Sequence, residues 1–372
     1  MTIVGVLSEA PGRERRVALT PDAAGRLNRR EIQVLVEAGA GRRAWFGDAD
    51  YEGAGAEVVT RERVYAESDL LLCLHPPEDV AALAEGRVLA GLLDPLGRPE
   101  LIGQLAAAGI TAISLDLLPR TLSRAQAMDA LTSQANVAGY KAALLAAEAY
   151  GGFFPMLVTA AGTSRPAQVL VLGAGVAGLQ AIATARRLGA LVTGYDVRDA
   201  AQADIASLGA TPLRLTSTDK SRQDGYAQRL TDDESSAQQR ALQEAIPRFD
   251  VVITTAKVPG APAPLLVDET ALAAMRPGSV VIDMAVGNVA GSRPDTRLVT
   301  DGGVTLIGAP DLAATVPVAA STAYARNAVA LITHLMPDGV LVLDPTDEVQ
   351  AGVLVCHGGQ VVHPRLPKEI RS

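Results

Sequence analysis

Residues 167–199 read AQVLVLGAGVAGLQAIATARRLGALVTGYDVRD: an apolar run, a glycine cluster, a helical pattern, and a second apolar run that ends in an acid. Strand, turn, helix and strand in that order make a βαβ unit. Gly173, Gly175 and Gly178 are spaced G-x-G-x-x-G, with Ala174, Val176 and Ala177 between them. The first glycine permits a tight turn, the second lets the backbone approach a pyrophosphate, and the third lets the helix lie close to the strand. The helix that follows offers unpaired N–H groups to an anion. Asp196 closes the second apolar run. A carboxylate there accepts a hydrogen bond from a ribose 2′-hydroxyl and repels a 2′-phosphate, so NAD(H) is expected at this turn rather than NADP(H).

The same alternation extends in both directions. Downstream, ATPLRL (210–215), FDVVITTAKVPG (249–260), PGSVVIDMAV (277–286) and GVTLIG (303–308) read as further strands. Upstream, TIVGV (2–6), IQVLVEAG (32–39), ESDLLLCLHPP (67–77), GRVLAGLLDP (86–95) and ITAISLDLLP (110–119) form a first series. PDAAGRLNRR (21–30) and RPELIGQLAAAG (98–109) supply helices between them. Short apolar runs separated by helices imply parallel sheets covered on both faces. The expected fold class is α/β: two doubly wound, parallel-sheet, Rossmann-like domains, separated by a cleft and joined by long helices over 123–149 and 313–335. Near the end, GVLVC and QVVH flank His357, Gly358 and Gly359, a hairpin signal. The C-terminal part is expected to return to the first domain, giving 1–125 plus 325–372, and 126–324 as the NAD(H)-binding domain.

Composition limits the function. The chain has 372 residues, 48% of them hydrophobic, so sizeable aliphatic cores can form. A net charge of −8 without a basic cluster argues against nucleic acid as a partner. Cys73 and Cys356 match no metal spacing, and two scattered thiols suit a reducing cytosol. The opening MTIVGVLSEAPGRERRVALTPDAA lacks the basic and apolar regions of a signal peptide. No run approaches the ~18 apolar residues of a bilayer-spanning helix.

Three further stretches bear on the chemistry. TTAKVPGAPAP (254–264) follows a strand, and a loop at a strand's C-terminal end faces the ligand crevice of a doubly wound sheet. Thr255, Ala256 and Pro259 are its candidate contacts. Residues 217–248 are longer than a crossover needs and carry Tyr226 beside Gly225, which suits either a lid over a bound ring or tolerated decoration. SRAQAMDALTSQ (123–134) reads as the front of a helix capped at Ser123 or Thr121. Gln126, Asp129 and Thr132 recur at every third position there, giving it a polar ladder. No catalytic triad, metal set or paired-carboxylate arrangement is evident, and His75, His334, His357 and His363 are dispersed. Hydride transfer between two nicotinamides fits that lack, because it demands approach, orientation and water exclusion rather than an acid or base.

The sequence resembles the NAD(H)-binding component (alpha-1, or domain I) of proton-translocating NAD(P) transhydrogenase over essentially its whole length. The resemblance rests on RVALTP (16–21), SRAQAMDALTSQANVAGYKA (123–142), VLGAGVAGLQAIATARRLGA (171–190), DVR (196–198), DGYA (224–227), PGAPAP (259–264) and PGSVVIDMAV (277–286). It implies that Arg120, Gln126, Asp129 and Thr132, the last where the family has Ser, surround the dihydronicotinamide. Arg120 stands one residue further from Gln126 than the family pattern, which makes Arg124 a substitute candidate. It also implies that Asp196, Val197 and Arg198 belong to the cofactor-binding set, and that Tyr226 sits on a mobile loop that closes on NAD(H). NADP(H) would lie on a partner subunit, beside a separate membrane subunit. The chain would form a homodimer and work peripherally on the cytoplasmic face of the inner membrane. Alanine dehydrogenase shares the fold and the VPVAASTAYARNAVA pattern, but carries a catalytic Lys and His where this chain has no Lys, only His75 and Asp94 nearby. A non-catalytic NADH-sensing module is the third reading.

Overall fold

The computed structural model describes residues 2–10, 12, 14–215, 232–258, 260–367 and 370; Tyr226 and Pro259 lie outside the described residues. The chain divides into two compact units, Met1–Gln134 with Ala313–Ser372, and Ala135–Leu312. These limits differ from the expected 125/126 and 324/325 divisions. Ala125, Met128 and Ala130 share one apolar cluster with Tyr324, Ala325 and Ala328, which holds residues up to 134 and the whole Pro317–Leu335 helix in the first unit.

In chain order the strands are β1 (Ile3–Val6), β2 (Gln33–Glu37), β3 (Glu57–Val59), β4 (Leu70–Leu72), β5 (Val88–Gly91) and β6 (Thr111–Ser114). A small hairpin follows, β7 (Leu157–Thr159) with β8 (Gly162–Ser164). Then come β9 (Gln168–Leu172), β10 (Leu191–Tyr195), β11 (Thr211–Pro212), β12 (Val251–Thr254), β13 (Val280–Asp283), β14 (Thr296–Val299) and β15 (Thr305–Gly308). The chain closes with β16 (Leu354–His357) and β17 (Gln360–Val361).

The first unit's sheet runs β17-β16-β6-β5-β4-β1-β2-β3, with β1 to β6 parallel. Side chains alternate across it as strand geometry demands. Val4, Val6, Val34, Val36, Leu70 and Leu72 enter one core, while Leu35, Leu71, Cys73 and Leu89 enter the other. The Pro317–Leu335 helix covers the first face, where buried Tyr324 donates its hydroxyl hydrogen to the Cys73 carbonyl at 2.7 Å. β16 joins β6 antiparallel and turns into β17 through Gly358 (φ +59°) and Gly359 (φ +78°). Two successive left-handed residues give the tight hairpin turn that glycine makes cheap. Between Gly41 and Glu67 lie two short helices, Asp48–Gly53 and Arg61–Glu67, and β3, none of them expected from the sequence. Elements this short carry too little periodicity to stand out.

The second unit's sheet runs β11-β10-β9-β12-β13-β15-β14, parallel except for β14, an antiparallel edge strand. Val169, Val171, Val251 and Ile253 face one core; Leu170, Leu172, Val252 and Val281 face the other. From β9 the chain winds outward through β10 and β11, then returns to β12 on the opposite side of β9. That reversal opens a crevice beyond the C-terminal ends of β9 and β12, where doubly wound sheets bind ligands. Both expected nucleotide-contacting segments, the glycine turn after Leu172 and the loop after Thr254, start at this point.

Candidate dinucleotide site

The glycine turn is shaped as its spacing requires. Gly173 has φ +98° and donates its N–H to the Tyr195 carbonyl at 2.8 Å. A side chain there would strain the backbone and strike Thr255 Oγ1. Gly178 lies in the first turn of the Val176–Arg187 helix, and a β-carbon on it would collide with the Gly173 carbonyl. Gly175, the N-cap, differs: a β-carbon on it would meet nothing within 4 Å. The space above Gly175 is open at the end of a helix whose first N–H groups have no intrahelical acceptor. Ala174 is buried, Ala177 is packed under Gly139, and Val176 is partly exposed. These features fit a pyrophosphate, which needs room above the second glycine and donors beneath it.

Asp196 follows β10 beside this turn. Its Oδ2 accepts the Ala174 N–H at 2.8 Å, and its Oδ1 accepts the Arg198 N–H at 2.9 Å. Burial opposes ionisation of the Asp196 carboxyl, but the Arg198 guanidinium and the two backbone N–H groups outweigh it and hold its pKa below the ordinary carboxylate value. Val197 is largely exposed. On the other side, Thr255 Oγ1 donates toward the Gly173 carbonyl at 3.1 Å and the Leu172 carbonyl at 3.4 Å, tying the β12 loop to the glycine turn. Ala256 is gripped by the side chain of Asn288, a residue that carries no sequence motif.

The 123–134 stretch lies in the first unit, and its form corrects the expectation of one continuous helix. Ser123–Met128 is a 3₁₀ helix preceded by Leu122. Asp129 then leaves the helical region (φ −72°, ψ 84°), and an α-helix starts at Ala130. The break has a local cause. The Asp129 carboxylate accepts the Thr132 N–H at 2.9 Å and the Thr132 hydroxyl at 2.6 Å, the pattern of a side chain capping a new helix. Asp129 and Thr132 therefore form one cap instead of two rungs of a ladder. Arg120 joins them, its Nε 3.3 Å from Asp129 Oδ2. Arg124 points elsewhere, pairing with Asp347 and Glu348, each at 3.3 Å. Gln126 is exposed beside the cap.

The sequence offers Arg16 only as part of a shared motif and gives no sign of the cluster around it. Arg16 is buried, with Nη1 donating to Gln134 Oε1 at 2.9 Å and Nε donating to Glu14 Oε1 at 2.8 Å. His75 Nδ1 stands 3.4 Å from Glu14 Oε2 and 3.5 Å from Glu9 Oε2. Burial disfavours the charged imidazole, but Glu9 and Glu14 outweigh burial and the repulsion of Arg16, and raise its pKa. A cavity of about 590 Å³ lies elsewhere in this unit, lined by Glu85, Thr111 and His357 among others. It sits by the N-terminal ends of β5 and β6, the opposite end of the strands from the ligand crevice of this fold.

Residues 142–364 match the family described as "Alanine dehydrogenase/PNT, C-terminal domain", and residues 5–138 match "Alanine dehydrogenase/PNT, N-terminal domain". The "NAD(P) transhydrogenase subunit alpha" of Cereibacter sphaeroides is 40% identical over 362 aligned positions, covering 94% of this chain and 69% of that protein. The crystal structure of transhydrogenase from Sinorhizobium meliloti is 39% identical with a TM-score of 0.87, covering 97% of this chain and 100% of that one. Alanine dehydrogenase of Mycolicibacterium smegmatis is 34% identical over 79% of this chain and 76% of its own length. Likeness in sequence and fold along nearly all of the chain, on top of the glycine turn and its acid, leads to one conclusion: the chain belongs to the alanine dehydrogenase/PNT family, among the relatives named NAD(P) transhydrogenase subunit alpha.

Proposed function

We propose that this chain is the NAD(H)-binding subunit of a proton-translocating transhydrogenase, an oxidoreductase passing hydride from NADH to NADP⁺ held on a partner subunit. The observation that carries the reading is the joining of Arg120, Asp129 and Thr132 beside an exposed Gln126. NAD(H), when bound, supplies or receives the hydride. The glycine turn presents N–H groups to its pyrophosphate, and Asp196 accepts its ribose hydroxyls. Asp129, held from two sides by Arg120 and Thr132, is a rigid acceptor for the carboxamide. Gln126 is left to reach the partner's nucleotide. Passage between two nicotinamides moves no proton to or from a side chain, so these residues have to orient and to exclude water.

No helix among the described residues is long and apolar enough to cross a membrane. In this reading proton translocation belongs to a membrane subunit, and the chain acts as a homodimer on the cytoplasmic face of the inner membrane, active only with its partners. The test is to mix the chain with an NADP-binding partner and follow direct transfer from NADH to NADP⁺ or an analogue. Silence in that assay would leave an NADH-sensing module. NADH oxidation with pyruvate and ammonia would establish an alanine dehydrogenase instead.

A further inference from the structure

Asp283, the last residue of β13, is fully buried. Its Oδ1 accepts the Thr254 hydroxyl (3.0 Å) and the N–H groups of Ala285 (3.0 Å) and Val286 (2.9 Å). Its Oδ2 accepts those of Gly287 (3.0 Å) and Val289 (3.2 Å). Around this carboxylate the chain turns back sharply, with Val286 at φ +52°. A β-branched residue seldom adopts that conformation, and it persists where surrounding contacts over-determine it. The turn delivers Asn288, which is also fully buried.

Asn288 Oδ1 accepts the Ala256 N–H at 3.1 Å; its Nδ2 donates to the Ala256 carbonyl at 3.0 Å and the Pro264 carbonyl at 2.7 Å. The network fixes the amide orientation, since the flipped form would set NH₂ against N–H and oxygen against two carbonyls. The carboxamide thus pairs with Ala256 as a neighbouring strand would. Ala256 is next to Thr255, whose hydroxyl holds the Gly173 carbonyl.

We propose that Asn288 is a positioning residue for the dinucleotide: its carboxamide fixes the backbone of Ala256 and, through Thr255, the glycine turn. The role rests on the NAD(H) reading above. No other side chain of similar volume both donates and accepts here. Asp loses the two donated bonds, and Leu loses all three.

The test compares Asn288→Ala and Asn288→Asp with Leu306→Ala, a buried apolar truncation in β15 of the same sheet. NADH affinity, thermal stability and cofactor-free amide exchange at Ala256 are measured on the full chain. Both Asn288 variants are expected to weaken NADH by about tenfold or more and to speed exchange at Ala256. Leu306→Ala is expected to lower the melting temperature while leaving NADH affinity within about twofold. Should Asn288→Ala not fold, Asn288→Ser, which keeps one hydrogen-bonding oxygen, takes its place. Unchanged affinity or unchanged exchange in a folded Asn288 variant would overturn the positioning role alone. An unaltered chain that takes up no NADH would overturn the nucleotide reading, and this role with it.

Discussion

Arg198 and Asp196 meet fork to fork, Nε to Oδ1 at 2.9 Å and Nη2 to Oδ2 at 3.0 Å. The backbone N–H groups of Ala174 and Arg198 fill the remaining lone-pair positions. A ribose diol approaching Asp196 would therefore compete with the guanidinium, whose side chain is 63% exposed and also donates to the Ala174 carbonyl at 3.4 Å. Arg198→Ala removes this internal competitor. It is expected to tighten NADH a few-fold and, by leaving the carboxylate uncompensated, to sharpen discrimination against NADPH. Titration with both nucleotides checks it; weaker NADH binding would mean that Arg198 itself holds the cofactor.

The same pair sets a pH dependence. The folded Asp196 carboxyl has a lowered pKa, so its contribution to stability is present above the unfolded value of about 3.9 and is lost as pH falls through the lower folded value. The Asp196 contribution to affinity, read with acid-stable NAD⁺, is expected to persist down past that unfolded value. In Arg198→Ala the acid limb should move upward. Affinity against pH for the two proteins decides this.

Gly175 and Gly178 should separate binding from folding. Gly178→Ala drives a β-carbon into the Gly173 carbonyl, so both stability and NADH binding should fall. Gly175→Ala meets open space at φ −76°, so the melting temperature should hold while NADH affinity drops by about tenfold or more. Calorimetry and fluorescence titration on both variants test the pairing.

Asp129→Ala removes the cap of the Ala130–Ala149 helix and the partner of Arg120. The expected loss of stability is about 1 kcal/mol. Transfer activity should fall well beyond what that loss explains, and Asp129→Asn, which can still cap, should recover the stability but not all of the rate.

Gln126→Ala alters an exposed side chain, so stability and NADH affinity should stay within about twofold. Transfer to a partner's NADP⁺ should slow by at least about tenfold. Equal losses in binding and transfer would overturn the cross-subunit role proposed for Gln126.

How legible the molecule is in its sequence varies with the length scale of the signal. The βαβ core around Gly173 is readable because two periodicities and three glycines coincide within one stretch. The cap at Asp129 escapes the pattern, because spacing by three is shared by one face of an α-helix and by an N-cap with its N3 partner. An Asp can ride a helix or start one, and only the backbone decides. Asn288 leaves no trace because its carboxamide pairs with main chain, whose chemistry does not depend on which residue supplies it. The acid closing VVID, followed by a turn-forming VGN, is the one available hint to the Asp283 knot. Arg120 and Arg124 cannot be ranked by spacing; contact with Asp129 on one side and with Asp347 on the other distinguishes them.

The second unit is one continuous segment, whereas the first is assembled from both ends of the chain. On the ribosome, residues 135–312 can therefore finish folding while 1–134 still wait for the Pro317–Leu335 helix and for β16 to emerge. Nascent chains stalled before that helix would carry a finished glycine turn and β12 loop attached to a neighbour whose apolar core still lacks the residues of that helix.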